Sequence, residues 1–151
     1  MNWIQLIGSF FGSLGFALLF HLRGWKAFWT ALGGGIAWFA YLLVGIYYPS
    51  YGIQFLVSSI VLGIYMEVMA YYTKMPRTAY IAVGIIPLIP GASLYRAMYS
   101  LFQKQMDAGK AYAFEALVTS TAIAAGLLIA MDIWKLICKG NLKNRRNKSG
   151  R

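Results

Sequence analysis

The residues best suited to chemistry lie in the stretch 85–95, where two prolines and a glycine interrupt a long apolar segment. An α-helix bonds each backbone N–H to the carbonyl four residues earlier, and proline has no N–H to donate. Pro87 therefore leaves the carbonyl of Val83 without its donor, and Pro90 does the same to Ile86. Within a bilayer, each freed group is costly unless protein, water or a ligand satisfies it. The break must therefore be packed inside a bundle or line a cavity.

A helix broken inside a membrane can bind a small charged molecule, as the broken helices of transporters do. The first N–H groups of a half-helix attract anionic ligands, and freed carbonyls attract cations. Gly91, Ala92 and Ser93 are predicted to open the second half, with glycine permitting a positive φ, so their amides are candidates for binding a substrate carboxylate. The carbonyls of Val83 and Ile86 are candidates for an ammonium or hydroxyl group. A zwitterion or carboxylate suits this site. A proline kink used only for packing is an equal alternative.

Glu67 is the second candidate, because it lies inside an apolar segment. A carboxylate within a membrane span is expensive and by default indicates a function. Glu67 lies five residues before Tyr72, where the segment ends, which is about 7.5 Å along a helix. Proton coupling is one interpretation. A structural role, with the side chain neutral, ion-paired or reaching the interface, is equally consistent with that position.

Composition sets the class of protein. Of the 151 residues, 60% are hydrophobic and 12% are charged, about half the charged fraction of a soluble domain. We therefore predict an all-α polytopic membrane bundle of about five transmembrane helices, one of them broken by proline and glycine. The predicted spans are 3–20, 27–48, 53–72, 79–105 (the broken one) and 112–134. Residues 1–134 are expected to form one transmembrane domain and residues 135–151 a basic cytoplasmic tail. Whether residues 92–105 cross the membrane or lie in its interface stays open.

The charge distribution indicates the orientation. The net charge is +10, and seven of the fourteen basic residues lie in 135–151. Basic residues beside membrane spans are explained by topology and by anionic lipid, so a nucleic-acid partner is not expected. The basic turns at 21–26 and 74–77 fall on the same side as the tail, which places the C-terminus in the cytoplasm and the N-terminus outside. The N-terminal segment lacks the features of a cleavable signal and predicts a first span.

The remaining polar residues do not predict an enzyme, a metal site or a cofactor. Cys138 is the single cysteine, and the chain has one histidine, so a disulfide within the chain is excluded and a His/Cys metal site is implausible. The four acidic residues share no catalytic motif. Glu115 is expected in the first turn of the last span, where the helix dipole favours a negative charge. Asp132 lies three residues from Lys135, a spacing that predicts a local ion pair.

Small residues predict where helices pack closely. Gly8-x-x-x-Gly12 matches the close-packing pattern of membrane helices, and residues 33–35 are three consecutive glycines. Packing within the chain is the favoured interpretation of both. For Gly8-x-x-x-Gly12 the alternative is an interface with another subunit, including a second copy of the chain. For the glycines at 33–35 the alternative is a hinge.

The break also carries a family resemblance. The run Ile-Ile-Pro-Leu-Ile-Pro-Gly at 85–91, followed by Leu94-Tyr95 and Met98-Tyr99, closely resembles the hallmark of the threonine/serine exporter family. Upstream, Glu67-x-x-Ala70 and a later proline are similar to the segment that precedes that hallmark. The resemblance extends more weakly over the whole chain. It is closest to the small subunit, which corresponds to the C-terminal half of exporters that carry both halves in one chain.

The resemblance implies a function and a set of partners. It implies a secondary exporter of small amino acids in the bacterial inner membrane, driven by the proton gradient. It also implies a larger companion subunit with a hydrophobic half and a cytoplasmic domain. Some two-subunit relatives are associated with export of dicarboxylates such as succinate, so a small carboxylate is the alternative substrate. A non-transporting scaffold or accessory subunit is the alternative role, and a small channel is a third.

Particular residues follow from the match to the family pattern. The positions that match are Pro87, Pro90, Gly91 and Tyr95 at the break, as substrate-site candidates, and Glu67 as the proton-coupling candidate. The chain departs from the pattern after Ala70, where two tyrosines stand in place of the basic residues expected in many members. Arg96 occupies a position that varies in the family, so a general role in substrate binding does not carry over to it.

Overall fold

The computed structural model describes residues 3–22, 24–74 and 76–149, with side chains described as far as Cys138. The described secondary structure is entirely helical, which confirms the predicted all-α class. The elements are α1 (Trp3–Leu19), α2 (Trp25–Tyr47), α3 (Tyr51–Thr73), α4 (Arg77–Gly84), a 3₁₀ turn (Ile86–Leu88), α5 (Gly91–Phe102) and α6 (Met106–Ser149).

The helix lengths fit a membrane. Helices α2 and α3 have 23 residues each, about 34 Å, enough for a hydrocarbon core of about 30 Å. The part of α6 from Met106 to Cys138 is also long and apolar enough to cross. The segments Arg77–Leu88 and Gly91–Phe102 together form a fourth candidate span, bent by 53°. Helix α1 is apolar but has only 17 residues, at the short end of the spanning range.

The last helix is longer than its hydropathy predicts. The turn before it covers only residues 103–105, so the helix begins six residues before the predicted start of the last span at residue 112. Asp107 occupies the first turn of α6, where a carboxylate is favourable, and Glu115 lies in the third turn rather than the first. Gly109 explains the early start, because a Cβ there would lie 2.9 Å from the Leu101 side chain. At its other end α6 continues through the basic segment to Ser149.

Helix α3 is the centre of the bundle and packs against α2, α4 and α6. The core of the bundle contains four fully buried side chains, those of Leu62, Met66, Tyr80 and Leu88. Glycines bring the helices close where they cross: Gly33 lies against Met66, and a Cβ at Gly63 would lie 2.5 Å from the Ala130 Cβ. The prediction of close packing at the glycine triplet is therefore confirmed for that contact.

The glycines of α1 behave differently. A Cβ added at Gly8, Gly12 or Gly15 would have nothing within 4 Å. The buried face of α1 is instead formed by Ser9, Ser13 and Ala17. The expectation that Gly8 and Gly12 pack within the chain was therefore wrong for the described residues, because the serines, one position further along, occupy the crossing with α2.

A matched pair of glycine substitutions tests these crossings. Gly126→Ala should lower the free energy of unfolding by about 1–3 kcal/mol, the usual cost of overpacking a core. Its new Cβ would lie 2.7 Å from the Leu56 carbonyl oxygen, a backbone atom that cannot rotate away. Gly12→Ala, on the open face, should leave stability unchanged or slightly higher. Denaturant unfolding of both variants in detergent measures the difference, and equal effects would contradict this account of the packing.

Candidate substrate site at the helix break

The break between α4 and α5 satisfies most of its own backbone groups. The N–H of Ile85 donates to the carbonyl of Ile81 (3.0 Å) and also faces that of Val83. The N–H of Leu88 donates to Ile85 (2.8 Å), and that of Ile89 donates to Ile86 (3.2 Å). The prediction that the Ile86 carbonyl is free was therefore wrong. In a 3₁₀ turn each carbonyl accepts from the N–H three residues ahead, so the Ile89 N–H takes the place of the N–H that Pro90 lacks.

Two amides at the start of α5 do lack a partner. The Gly91 N–H donates to the Ile89 carbonyl at 2.7 Å, so it is occupied. The N–H groups of Ala92 and Ser93 have no backbone acceptor within the described ranges, and Pro90 provides no side-chain cap. A Cβ on Gly91 would meet nothing within 4 Å. The positive φ that glycine permits is not used at Gly91.

A cavity of about 270 Å³ adjoins the break. Ile85, Ile89 and Pro90 line one side of it. Helix α6 lines the other side with Ser120, Ile123, Ala124 and Leu127. The cavity is mostly apolar, so any polar recognition must come from its rim.

The predicted site residues separate into two groups. Pro90 lines the cavity, and the free amides of Ala92 and Ser93 follow it within one turn. Pro87 instead packs into the bundle, where its Cγ lies 3.4 Å from the position of a Cβ on Gly34. Tyr95 is 70% exposed and stacks on Tyr99, with ring centroids 6.2 Å apart. The structure therefore does not bring Pro87 or Tyr95 to the rim of the cavity.

Ser93 connects the break to Glu115, an acidic residue that the sequence placed at a helix start but not at this site. Its hydroxyl donates a 2.9 Å hydrogen bond to Oε1 of Glu115 on α6. One turn along the hairpin, the Arg96 guanidinium lies over the Tyr112 ring, 5.9 Å from its centroid. Helix α5 thus turns its polar side toward α6. Its apolar residues Leu94, Met98 and Phe102 face outward, whereas Leu101 packs against Gly109 of α6.

The α5–α6 hairpin explains why these two residues meet. Ser93 and Glu115 each lie eleven residues from Lys104, which is in the turn between the helices. In an antiparallel hairpin, residues equally distant from the turn stand side by side. That symmetry was the signal in the sequence, and the misplaced start of α6 concealed it.

Glu67 lies in a different part of the molecule. Its side chain is 5% exposed and accepts a hydrogen bond from Arg77 Nη1 at 2.9 Å, while Arg77 is 43% exposed. The corner between α3 and α4 is also held by the Tyr80 hydroxyl, which donates to Thr73 Oγ1 at 2.9 Å. Of the alternatives left open for Glu67, the ion pair is the one observed.

The two carboxylates occupy opposite ends of the bundle. Helices α3 and α6 run parallel, because Gly52 lies beside Val118 and Tyr71 contacts Trp134. Glu115 is therefore near the start of α3. Glu67 lies fifteen residues after Gly52, about 22 Å along the helix. Glu67 therefore does not form part of the site at the break.

A smaller prediction can also be compared with the structure. Asp132 Oδ1 pairs with Lys135 Nζ at 2.9 Å, which confirms the predicted local ion pair. Among the described residues, no group of three His, Cys, Asp or Glu side chains is placed to hold a metal ion.

Comparison with known families adds an independent finding. The sequence model of the family described as "Threonine/Serine exporter, ThrE" matches residues 5–133. No curated protein and no solved structure matches the chain. The matched range contains the break, Glu67, Glu115 and the α5–α6 hairpin, and it stops just before the basic segment.

Proposed function

This chain belongs to the threonine/serine exporter family, and from that premise we propose that it is the small subunit of a bacterial inner-membrane exporter of threonine, serine or a related small amino acid. Membership of the family and the apolar helices indicate a multi-pass membrane protein of the exporter type. The proposed energy source is the proton gradient. The proposed orientation places the basic C-terminal segment in the cytoplasm, against anionic lipid.

The observation that carries the proposal is the uncapped start of α5. A half-helix that begins within a membrane directs its free N–H groups and its positive dipole end at an anionic ligand. The amides of Ala92 and Ser93 are free in this way, and Pro90 beside them lines a cavity. A substrate carboxylate bound at these two amides would satisfy them, and the cavity would take its apolar part.

Glu67 is proposed as the proton-carrying residue. It is buried, it is paired with a half-exposed arginine, and α4 links that pair directly to the break. Protonation of Glu67 would remove the charge that holds Arg77 and so loosen the corner between α3 and α4. Gly84 packs against Met66, the neighbour of Glu67 on α3. A shift at the corner would therefore move α4 and the start of the break together.

The larger companion subunit is proposed as the partner in the membrane. The open glycine face of α1, with Gly8, Gly12 and Gly15, supports a helical partner, since small residues let a second helix approach closely. Lipid satisfies such a face less well than a closely packed helix does. The mass of the purified complex separates a companion subunit from a second copy of this chain.

Reconstitution into liposomes tests the proposal. Liposomes containing this chain and its companion, loaded with threonine, should release it when a pH gradient is imposed. The rate should exceed that of companion-only liposomes, because without this chain the proposed site at Ala92 and Ser93 is absent. Equal rates from the companion alone would indicate an accessory role. Flux that does not respond to the gradient would indicate a channel.

A further inference from the structure

Glu115 is a carboxylate in a candidate membrane span without a cationic partner. A charged residue in that position is costly unless it is paired or has a function. Glu67 is paired with Arg77, whereas neither of the ion pairs among the described side chains includes Glu115. Its hydrogen bond comes from the neutral hydroxyl of Ser93. Arg96, one turn away, is directed at the Tyr112 ring. The site around Glu115 therefore has an acceptor available for a positive group.

A tyrosine of a neighbouring helix lies near Glu115 and also lines a cavity between α2 and α3. Tyr41 of α2 is close enough to interact electrostatically with Glu115 and with Tyr51 of α3. Both tyrosines line a cavity of about 410 Å³, together with Gln54, within the usual volume range of small-molecule sites. The Gln54 side chain donates to the Tyr48 carbonyl at 3.2 Å, which holds one wall in place.

Ser93 places this acceptor next to the donors at the break. Its hydroxyl contacts Glu115, while its own N–H and that of Ala92 are free. An α-amino acid carries a carboxylate and an ammonium group on the same carbon atom. The Ser93 hydroxyl is 2.9 Å from Glu115 Oε1, so the N–H and the carboxylate are separated by little more than the Ser93 side chain. One amino acid can therefore present its carboxylate to the amides and its ammonium group to Glu115.

We propose that Glu115 binds the ammonium group of the exported molecule and so selects zwitterionic amino acids over dicarboxylates. The inference rests on the proposed function, and it decides between the two substrate classes that the family resemblance leaves open. A zwitterion presents a positive group to Glu115. A dicarboxylate presents a second negative charge, and like charges at close range in a site of low dielectric constant repel strongly.

Substrate preference in liposomes tests the proposal. The protein with its companion is assayed with L-threonine, with 3-hydroxybutyrate, which is threonine without its ammonium group, and with succinate. In the Glu115→Gln variant, threonine export should fall by about 10- to 100-fold, the range for a lost charge-assisted hydrogen bond. Transport of the two compounds without an ammonium group should be maintained or rise. Asp132→Asn, which removes an exposed acid of the same helix, is the matched control and should change none of the three rates.

Several outcomes would overturn the proposal. An equal loss of all three substrates in Glu115→Gln would indicate a structural role, and unchanged threonine export would remove Glu115 from recognition. If Glu115→Gln does not insert, Glu115→Asp provides the test: it keeps the charge and should keep the preference for threonine. A wild-type protein that exports threonine but takes succinate equally well would overturn this inference alone. A wild-type protein that exports no amino acid would overturn the proposed function as well.

Discussion

Replacement of Glu67 by glutamine should abolish proton-driven export while the protein remains inserted and folded. Glutamine has the shape of glutamate and can still accept a hydrogen bond from Arg77, but it cannot bind and release a proton. Without a group that binds and releases the proton, the pH gradient cannot drive transport, so pH-driven threonine export should fall to the level of protein-free liposomes. The measurement is threonine efflux from liposomes together with proton influx reported by an internal pH-sensitive dye.

Two further variants separate proton transfer from simple loss of the ion pair. Glu67→Gln combined with Arg77→Gln leaves no unmatched charge at the corner, so a purely structural pair should tolerate it. If Glu67 carries the proton, this double variant stays as inactive as the single one. Recovery of export in the double variant, or full export by Glu67→Gln alone, would remove the coupling role. Asp132→Asn is the control for loss of an acid in general.

The helices and the break were predictable because their causes are local. Hydropathy marks an apolar segment from its own residues, and Pro90 removes a donor whatever surrounds it. The start of α6 was not predictable in the same way. Gly109 is a poor helix former by propensity, yet it lies inside α6 because Leu101 packs against it across the hairpin. That contact exists only after α5 and α6 have met.

The candidate site was predictable only in part, for a related reason. The free amides of Ala92 and Ser93 follow from a helix that begins directly after Pro90, since the first N–H groups of a helix have no acceptor within it, and the structure has them. The different surroundings of Pro87 and Pro90 depend on which side of the broken element each residue faces, and this is set by the packing of α2 and α6. Glu115 reaches Ser93 from 22 positions away, a pairing that no local pattern encodes.

Removal of the break should be as damaging as loss of the proton carrier. Pro90→Ala combined with Gly91→Ala raises helix propensity by about 4 kcal/mol, summing about 3 for proline and about 1 for glycine. The new N–H at position 90 could bond the Ile86 carbonyl, so the 53° bend would straighten. The amides of Ala92 and Ser93 would then gain acceptors four residues earlier, and Ser93 would move away from Glu115.

The consequence for transport can be tested variant by variant. Threonine export by the double variant should fall by about 100-fold or more, since both the amide donors and their geometry are lost. Gly91→Ala alone should keep nearly normal export, because its Cβ meets nothing within 4 Å and no positive φ is needed. Pro90→Ala should account for most of the loss.

Circular dichroism on the inserted protein should show a small gain in helix. Unchanged export kinetics in the double variant would mean that the break serves packing alone, since a site built on free amides cannot survive a continuous helix.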